Sequence, residues 1–438
     1  MKDRVAANPG RVKMTKSDGT TEYVTLERAD NPTQVGTALS KANLLSDATS
    51  KSIFGDSSDH TVNEALAELA GSGKITLDNF YTSTGLTIQS LPSLSAARED
   101  LAATVIGNYA LVGGGYTGSR SSVVDAYSSS LVRSTPTALS NARYELAATT
   151  VGDYALFGGG YGTSNSTVVD AYSSSLVRST PTALSSARRS LAATTVGDYA
   201  IFAGGYKYGS TDTYSNVVDA YSSSLVRSTP TTLNSSRSGL AATTVGDYAL
   251  FGGGYDGDTT SSTVDSYNSG LVHGAASYLS KTRYYLAATS VGDYAVFGGG
   301  VSSSVIDAYS SSLVKSTPTA FSRTHGYGGA TTLGGYAVFA GGVHTTPHSG
   351  TDALDADLTI HSCVSLGGNR SRMAAATIGN CAVFFGGYNG NAQADTVYGY
   401  TNSTFTDFTI PAFTKYKFDG YHDTEQTTLT AVDWSSSS

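Results

Sequence analysis

The chain has 438 residues and a formal charge of −8, from 27 Lys and Arg against 35 Asp and Glu. Glycine accounts for 49 residues and charged residues for only 14 %, against typical shares of ~7 % and ~25 %. That balance excludes a helical bundle or coiled coil, and so much apolar and aromatic content excludes disorder. An all-β protein with many glycine-containing turns remains. No stretch of 18 apolar residues occurs, and the charged first thirty residues include Pro9 and Gly10, so neither membrane insertion nor a signal peptide is expected. The absence of a basic stripe argues against nucleic acid. Cys363 and Cys381 form no disulfide framework and fit no zinc spacing.

Residues 1–74 carry most of the lysines and no repeat. Arg11–Thr15 and Thr21–Leu26 suggest a hairpin, and Ala38–Leu45 and Thr61–Leu69 suggest short helices. The second opens on capping-box spacing between Thr61 and Glu64. So small a polar segment scarcely holds a core alone, so a mixed α/β attachment or oligomerisation region is expected. The blocks MKDRV, PGRVKMT and ADNPTQVGTALSKANLLSDATS within Met1–Ser50 resemble the N-terminal attachment region of tail-fibre and receptor-binding proteins from phages and prophages of Gram-positive bacteria. The resemblance implies a virion protein synthesised in the bacterial cytoplasm. It also implies contacts with tail or baseplate proteins through this region, and a homo-oligomer for which a trimer is favoured.

Residues 75–411 are a repeat. The string LAATVIGNYALVGGG at Leu101 returns as LAATTVGDYALFGGG at Leu146 and Leu240 and LAATTVGDYAIFAGG at Leu191, with looser copies at Leu286, Gly328 and Met373. The marker Tyr109, Tyr154, Tyr199, Tyr248, Tyr294, Tyr336 and Cys381 advances by 42 to 49 residues. A second string, VVDAYSSSLVRSTPTALS, runs between the copies. Gly152-Asp153 is a two-residue hairpin turn, and the second string supplies a third and a fourth strand. Four antiparallel strands in each ~45-residue unit describe a β-propeller, here of seven four-stranded blades.

The glycine pair closing the second strand, the tyrosine closing the third, and an arginine before the next copy (Arg98, Arg143, Arg188, Arg237, Arg283, Arg370, with His325 in the sixth unit) resemble the kelch repeat. The kelch tryptophan is missing, and Leu131, Leu176, Leu225, Leu271 and Leu313 fill its region, so packing between blades by smaller side chains is expected. A third-and-fourth pair at Leu86–Arg98 and another near Thr396–Phe408 make eight outer pairs for seven inner ones. The N-terminal pair is expected to clasp the seventh blade, with one pair left outside the ring. Residues 412–438 form a C-terminal extension with one strand at Thr427–Val432 and the only tryptophan, Trp434.

No catalytic constellation emerges. His344 and His348 in HTTPH sit on one loop and make a poor metal site, and the repeat arginines read as inter-blade hydrogen-bond donors. Asp-box strings and G-x-S-x-G are missing, so neither cofactor nor metal is assigned. The loops joining second to third strands differ while the strands are copied, which marks a recognition surface. Their residues are of the adaptable kind found in binding loops. Binding is assigned to Tyr116, Tyr161, Tyr206, Lys207, Tyr208, Tyr214, Tyr255, Asp256, His344, Tyr388 and Asn389. The expected function is a non-enzymatic virion adhesin whose loop face binds a bacterial surface glycan or protein. The alternatives are a purely structural tail protein and a carbohydrate-active enzyme.

Overall fold

The computed structural model describes residues 11–15, 21–25, 86–209, 213–402, 415–418 and 428–432. Both expected N-terminal helices lie outside these residues. Arg11–Thr15 and Thr21–Thr25 pair as the expected hairpin, and Thr428–Val432 runs parallel to the first of them and antiparallel to Lys415–Phe418. These strands belong to one compact unit, and residues 83–404 form the other.

The larger unit is a seven-bladed β-propeller of four-stranded antiparallel blades. In the second blade, Ala147–Val151 pairs with Tyr154–Gly158 across the Gly152-Asp153 turn, with Val151 opposite Tyr154. Val169–Ser173 follows, and Arg178–Ser179 is a fourth strand of two residues. Leu176, expected on that strand, instead sits in the turn before it at φ 62°, as do its copies Leu131, Leu225, Leu271, Leu313 and Leu358 at φ 59 to 62°. The left-handed conformation disfavours leucine by roughly 1–2 kcal/mol. Each of these side chains is partly buried against an inter-blade core, which offsets that cost.

The seventh blade closes the ring. Ala374–Ile378, Cys381–Phe385 and Val397–Asn402 come from one end of the repeat, and Leu86–Leu91 from the other supplies the outermost strand, with Leu86 opposite Asn402 and Leu91 opposite Val397. Among the described residues each terminal piece contributes one strand, so the two together make one outer pair in place of the expected two; the end of the expected C-terminal pair, residues 403–408, lies outside the described residues.

The cores lie between blades, one at each of seven interfaces. Alanine, valine, leucine and isoleucine make up most of each core, as the missing tryptophan leads one to expect, and each also takes at least two aromatic rings. Tyr127, Tyr172, Tyr221, Tyr267, Tyr309 and Tyr400 are fully buried. Tyr172 meets Phe157 edge to face at 5.9 Å and donates to the Thr137 carbonyl at 2.7 Å in the connection from the preceding blade. The third-strand tyrosine therefore does the work expected of a fourth-strand tryptophan: an apolar ring in the interface with its hydroxyl satisfied.

Glycine is required where neighbouring blades touch. Gly159 and Gly160 have φ of 69° and 99°, and a Cβ on Gly159 would lie 2.7 Å from the Arg188 carbonyl of the next blade. That approach lets the Gly160 N–H donate to the same carbonyl at 2.9 Å. Gly387 donates likewise to Arg98 at 2.7 Å across the closing seam. On the innermost strands, threonine hydroxyls join neighbouring blades, as in Thr104 with Thr150 and Thr149 with Thr195, both at 2.8 Å. Ala376 and Val105 hold the corresponding positions at the seam.

The repeat arginines are buried, and each except Arg370 meets an aspartate on the third strand of its own blade. Arg143 reaches Asp170 at 2.8 Å, Arg188 reaches Asp219 at 2.8 Å, and Arg237 and Arg283 reach Asp265 and Asp307 at 2.6 Å, all with fully buried side chains. Arg98 pairs with Asp125 in the same way. His325 takes the arginine's place in the sixth blade, with Nε2 2.9 Å from Asp352 and Nδ1 2.6 Å from the Gly341 carbonyl. In the seventh blade Tyr398 stands where the aspartate would be, and Arg370 donates to the Thr396 hydroxyl at 2.6 Å. The aspartates also collect backbone N–H groups from the incoming connection, such as Ser185 on Asp219 at 3.0 Å.

Removing one partner of a buried pair strands the other's charge, at a cost of roughly 3–5 kcal/mol. Asp219→Asn should lower stability by about that amount in chemical denaturation. Asp153→Asn at an exposed hairpin turn should change it by less than about 0.5 kcal/mol. Equal, small effects would show that Asp219 does not hold the arginine.

Candidate binding face

The connections between blades and the diverse loops share one face, as the antiparallel reading requires. In six of the seven blades the residue after the repeat arginine or histidine bridges to the residue after the glycine pair: Glu99 to Tyr116, Tyr144 to Tyr161, Arg189 to Tyr206, Ser238 to Tyr255, Ser371 to Tyr388, and Gly326 to Val343 in the sixth blade; in the fifth the Val301 N–H donates to the Tyr284 carbonyl at 3.0 Å. These bridges set the loop tyrosines side by side at half-buried positions.

The result is an aromatic arc. Tyr116, Tyr144, Tyr161 and Tyr208 follow one another with ring centroids 5.4, 5.7 and 6.3 Å apart. Tyr206, Tyr214, Tyr255, Tyr284 and Tyr285 continue at 5.1, 5.7, 5.6 and 5.1 Å. Arg189 joins the two runs, its guanidinium 4.9 Å from the Tyr161 ring centre, 5.3 Å from Tyr206 and 6.0 Å from Tyr208. Arg120 lies 5.6 Å from Tyr161. The arc ends where Tyr285 stacks on Tyr327 at 3.9 Å and Arg372 sits 5.4 Å from the Tyr327 ring centre.

That end of the arc lies at a mouth where all seven blades converge. Asp100, Glu145, Ser190, Gly239, Tyr285, Tyr327 and Arg372 stand two residues after the repeat arginine or histidine and share φ between 48° and 62°. Each N–H donates to the carbonyl of its counterpart in the preceding blade, at 2.7 to 3.1 Å, and the Asp100 bond to Arg372 closes the circle. The seven line a cavity of about 200 Å3 together with Leu101, Leu146, Leu191, Leu240, Leu286 and Met373. Only one of the seven is glycine, so the hydrogen-bonded ring holds six side-chain-bearing residues in a conformation they otherwise avoid.

The polar groups of the mouth are coupled. The Ser190 hydroxyl donates to Glu145 at 2.6 Å, and Arg189 lies 3.4 Å from the same carboxylate. Arg372 is 3.4 Å from Asp100 and 3.5 Å from Glu99. Burial pushes the Asp100 carboxyl up to about 7, with Glu145 and Glu99 adding to the rise and Arg372 opposing it. Burial also raises the Tyr285 and Tyr327 hydroxyls.

The residues assigned to binding from sequence fall into two groups. Tyr116, Tyr161, Tyr206, Tyr208, Tyr214 and Tyr255 belong to the arc, with Lys207 exposed beside it on a two-residue strand paired with Thr213 and Tyr214. Asp256 and Asn389 shape their own loops. Asp256 accepts N–H groups of Thr259 and Asp258 at 2.7 and 2.9 Å, and Asn389 accepts those of Ala392 and Asn391 at 2.9 and 2.8 Å. The Thr259 and Asp258 N–H groups hold the Asp256 carboxyl below its ordinary value. The Tyr388 hydroxyl donates to the Gly390 carbonyl at 2.9 Å. His344 is exposed, whereas His348 donates from Nε2 to the Thr324 carbonyl at 2.6 Å and accepts the Gly350 N–H at Nδ1 at 3.1 Å. Among the described residues no cluster of three His, Cys, Asp or Glu is placed to hold a metal.

Tyr144, Tyr284, Arg189 and the mouth residues were missed from sequence. The signal lay one and two places after each repeat arginine, where copies of a repeated string disagree. No protein-family model matches the chain, and no curated protein matches it.

The raised Asp100 carboxyl has a consequence for stability. Its folded value lies above the ~3.9 of an unfolded aspartate, so the folded state holds the proton more tightly. Its contribution is therefore lost as pH rises from about 4 through about 7. Asp100→Asn, which suits a left-handed position, should gain stability relative to the parent between pH 5 and pH 8 in urea unfolding. A difference constant with pH would contradict the assignment.

Proposed function

We propose that the chain is a non-enzymatic virion tail-fibre or receptor-binding protein of kelch type, whose loop-bearing propeller face binds a glycan or protein on the bacterial surface. The observation that carries this reading is the contrast between copied blades and individual loops, which together set a tyrosine and arginine arc on one face. Tyrosine supplies large contact areas at small entropic cost, and its ring and hydroxyl suit a partner with alternating apolar and polar patches. Residues 1–74 are the proposed link to tail or baseplate proteins, in a homo-oligomer for which a trimer is expected.

Cell-binding measurements with labelled full-length protein test the proposal on a panel of Gram-positive bacteria. Tyr161→Ala with Tyr208→Ala should reduce adhesion about tenfold, since each aromatic contact contributes roughly 0.5–1.5 kcal/mol, with the melting temperature as control for folding. Undiminished adhesion by the folded double variant would refute the face assignment. Capture of tail proteins without binding to any cell would refute the receptor-binding role.

A further inference from the structure

The mouth at the end of the arc carries a charge pattern that selects among receptors, an inference that rests on reading this face as receptor-binding. Its lining holds two carboxylates, Asp100 and Glu145, against one guanidinium, Arg372. Glu99 lies just behind, 6 % exposed, with one carboxylate oxygen lacking a hydrogen bond. Arg372 is divided between Asp100 and Glu99 at 3.4 and 3.5 Å, beyond the ~2.7–2.9 Å of a full charge-assisted bond. Glu145 has Ser190 and a distant Arg189. Including Arg189 and Glu99, three carboxylates face two cations. An anionic ligand would meet uncompensated negative charge over a leucine floor, and a neutral one would leave that charge in place.

We infer that the mouth takes a primary ammonium group carried on a small, sugar-sized portion of the receptor. An ammonium offers three donors and no acceptor, which suits the carboxylates of Asp100 and Glu145, whose nearest guanidinium nitrogens stand 3.4 Å away. The Tyr285–Tyr327 pair favours a cation, as the position of Arg372 already illustrates. The cavity of about 200 Å3 has room for roughly seven waters at ~30 Å3 each, enough for a single ring or a short aminoalkyl group. The groups facing Asp100 are Glu99, Glu145, Arg372 and Tyr285. With its carboxyl near 7, affinity rises between pH 6 and pH 8, where an aliphatic ammonium stays charged.

Ligand-observed NMR on the full-length protein provides the test, with 2-aminoethyl β-D-glucoside as probe and methyl β-D-glucoside as its neutral counterpart. At pH 7.5 the amino probe should bind at least tenfold tighter. Asp100→Asn and Glu145→Gln, both near-isosteric, should each weaken it at least fivefold, with unchanged melting temperatures at that pH or a slight gain for the first. Equal affinity for the two glucosides, no binding of either, or binding indifferent to both substitutions overturns the inference. Adhesion of the parent protein to cells under those outcomes would leave the receptor-binding reading standing and the ammonium specificity refuted.

Discussion

A buried aspartate on the third strand, joined to an arginine arriving from the preceding connection, is the interaction on which the ring depends. Neither charge has access to water, so each needs the other and a set of hydrogen bonds to offset desolvation. Asp219 meets this with Arg188 at 2.8 Å, Arg227 at 3.3 Å and the Ser185 N–H at 3.0 Å. The Arg188 guanidinium also donates to the Phe202 carbonyl at 3.2 Å. The pair thus pins the inter-blade connection onto the blade it enters. The Arg188 carbonyl then receives the Gly160 N–H of the blade before, so the same residue fixes a blade to itself and to its neighbour.

A scaffold determined by strands, glycine pairs and a buried salt bridge leaves the rest of the face free to vary. The residue after the arginine bridges to the loop, and the next one lines the mouth. Three consecutive positions therefore divide three tasks: holding the blade, seating the loop tyrosine and shaping the axial cavity. The left-handed backbone shared by the seven mouth residues is strain that the circle of hydrogen bonds holds in place. Strain held by a rigid frame at a point of chemical diversity is a common mark of a functional site.

Much of this was legible in the sequence because the fold repeats locally. The Gly152-Asp153 turn, the glycine pairs and the loop positions all follow from short strings recurring every ~45 residues. The clasp of the seventh blade by the N-terminal segment was legible too, although not that one strand, Leu86–Leu91, would do it by pairing with Val397–Asn402. Three other features were not legible, each for a physical reason. Leu176 sits at φ 62° because inter-blade contact outweighs the steric preference that places leucine on strands or helices. The aspartate partner of each arginine lies 24 to 28 residues away in four of the blades with a hydrogen-bonded Arg–Asp pair. Its periodicity was visible, but burial, which makes the pair obligatory, was not. The mouth was hidden for a different reason. Its residues, Asp, Glu, Ser, Gly, Tyr, Tyr and Arg, share a conformation and no chemistry, so only alignment of the copies exposes them.

Hydrogen exchange of the full-length protein, with and without a saturating extract of bacterial surface glycans and proteins from a strain it adheres to, tests the central claim most directly. Protection should fall on residues 116–121, 161–166, 206–216, 255–261 and the mouth positions 284–286 and 327. The hairpin turns at 107–108, 152–153 and 246–247 should remain unchanged. Protection confined to those turns or to residues 1–74, with none on the tyrosine arc, would contradict it.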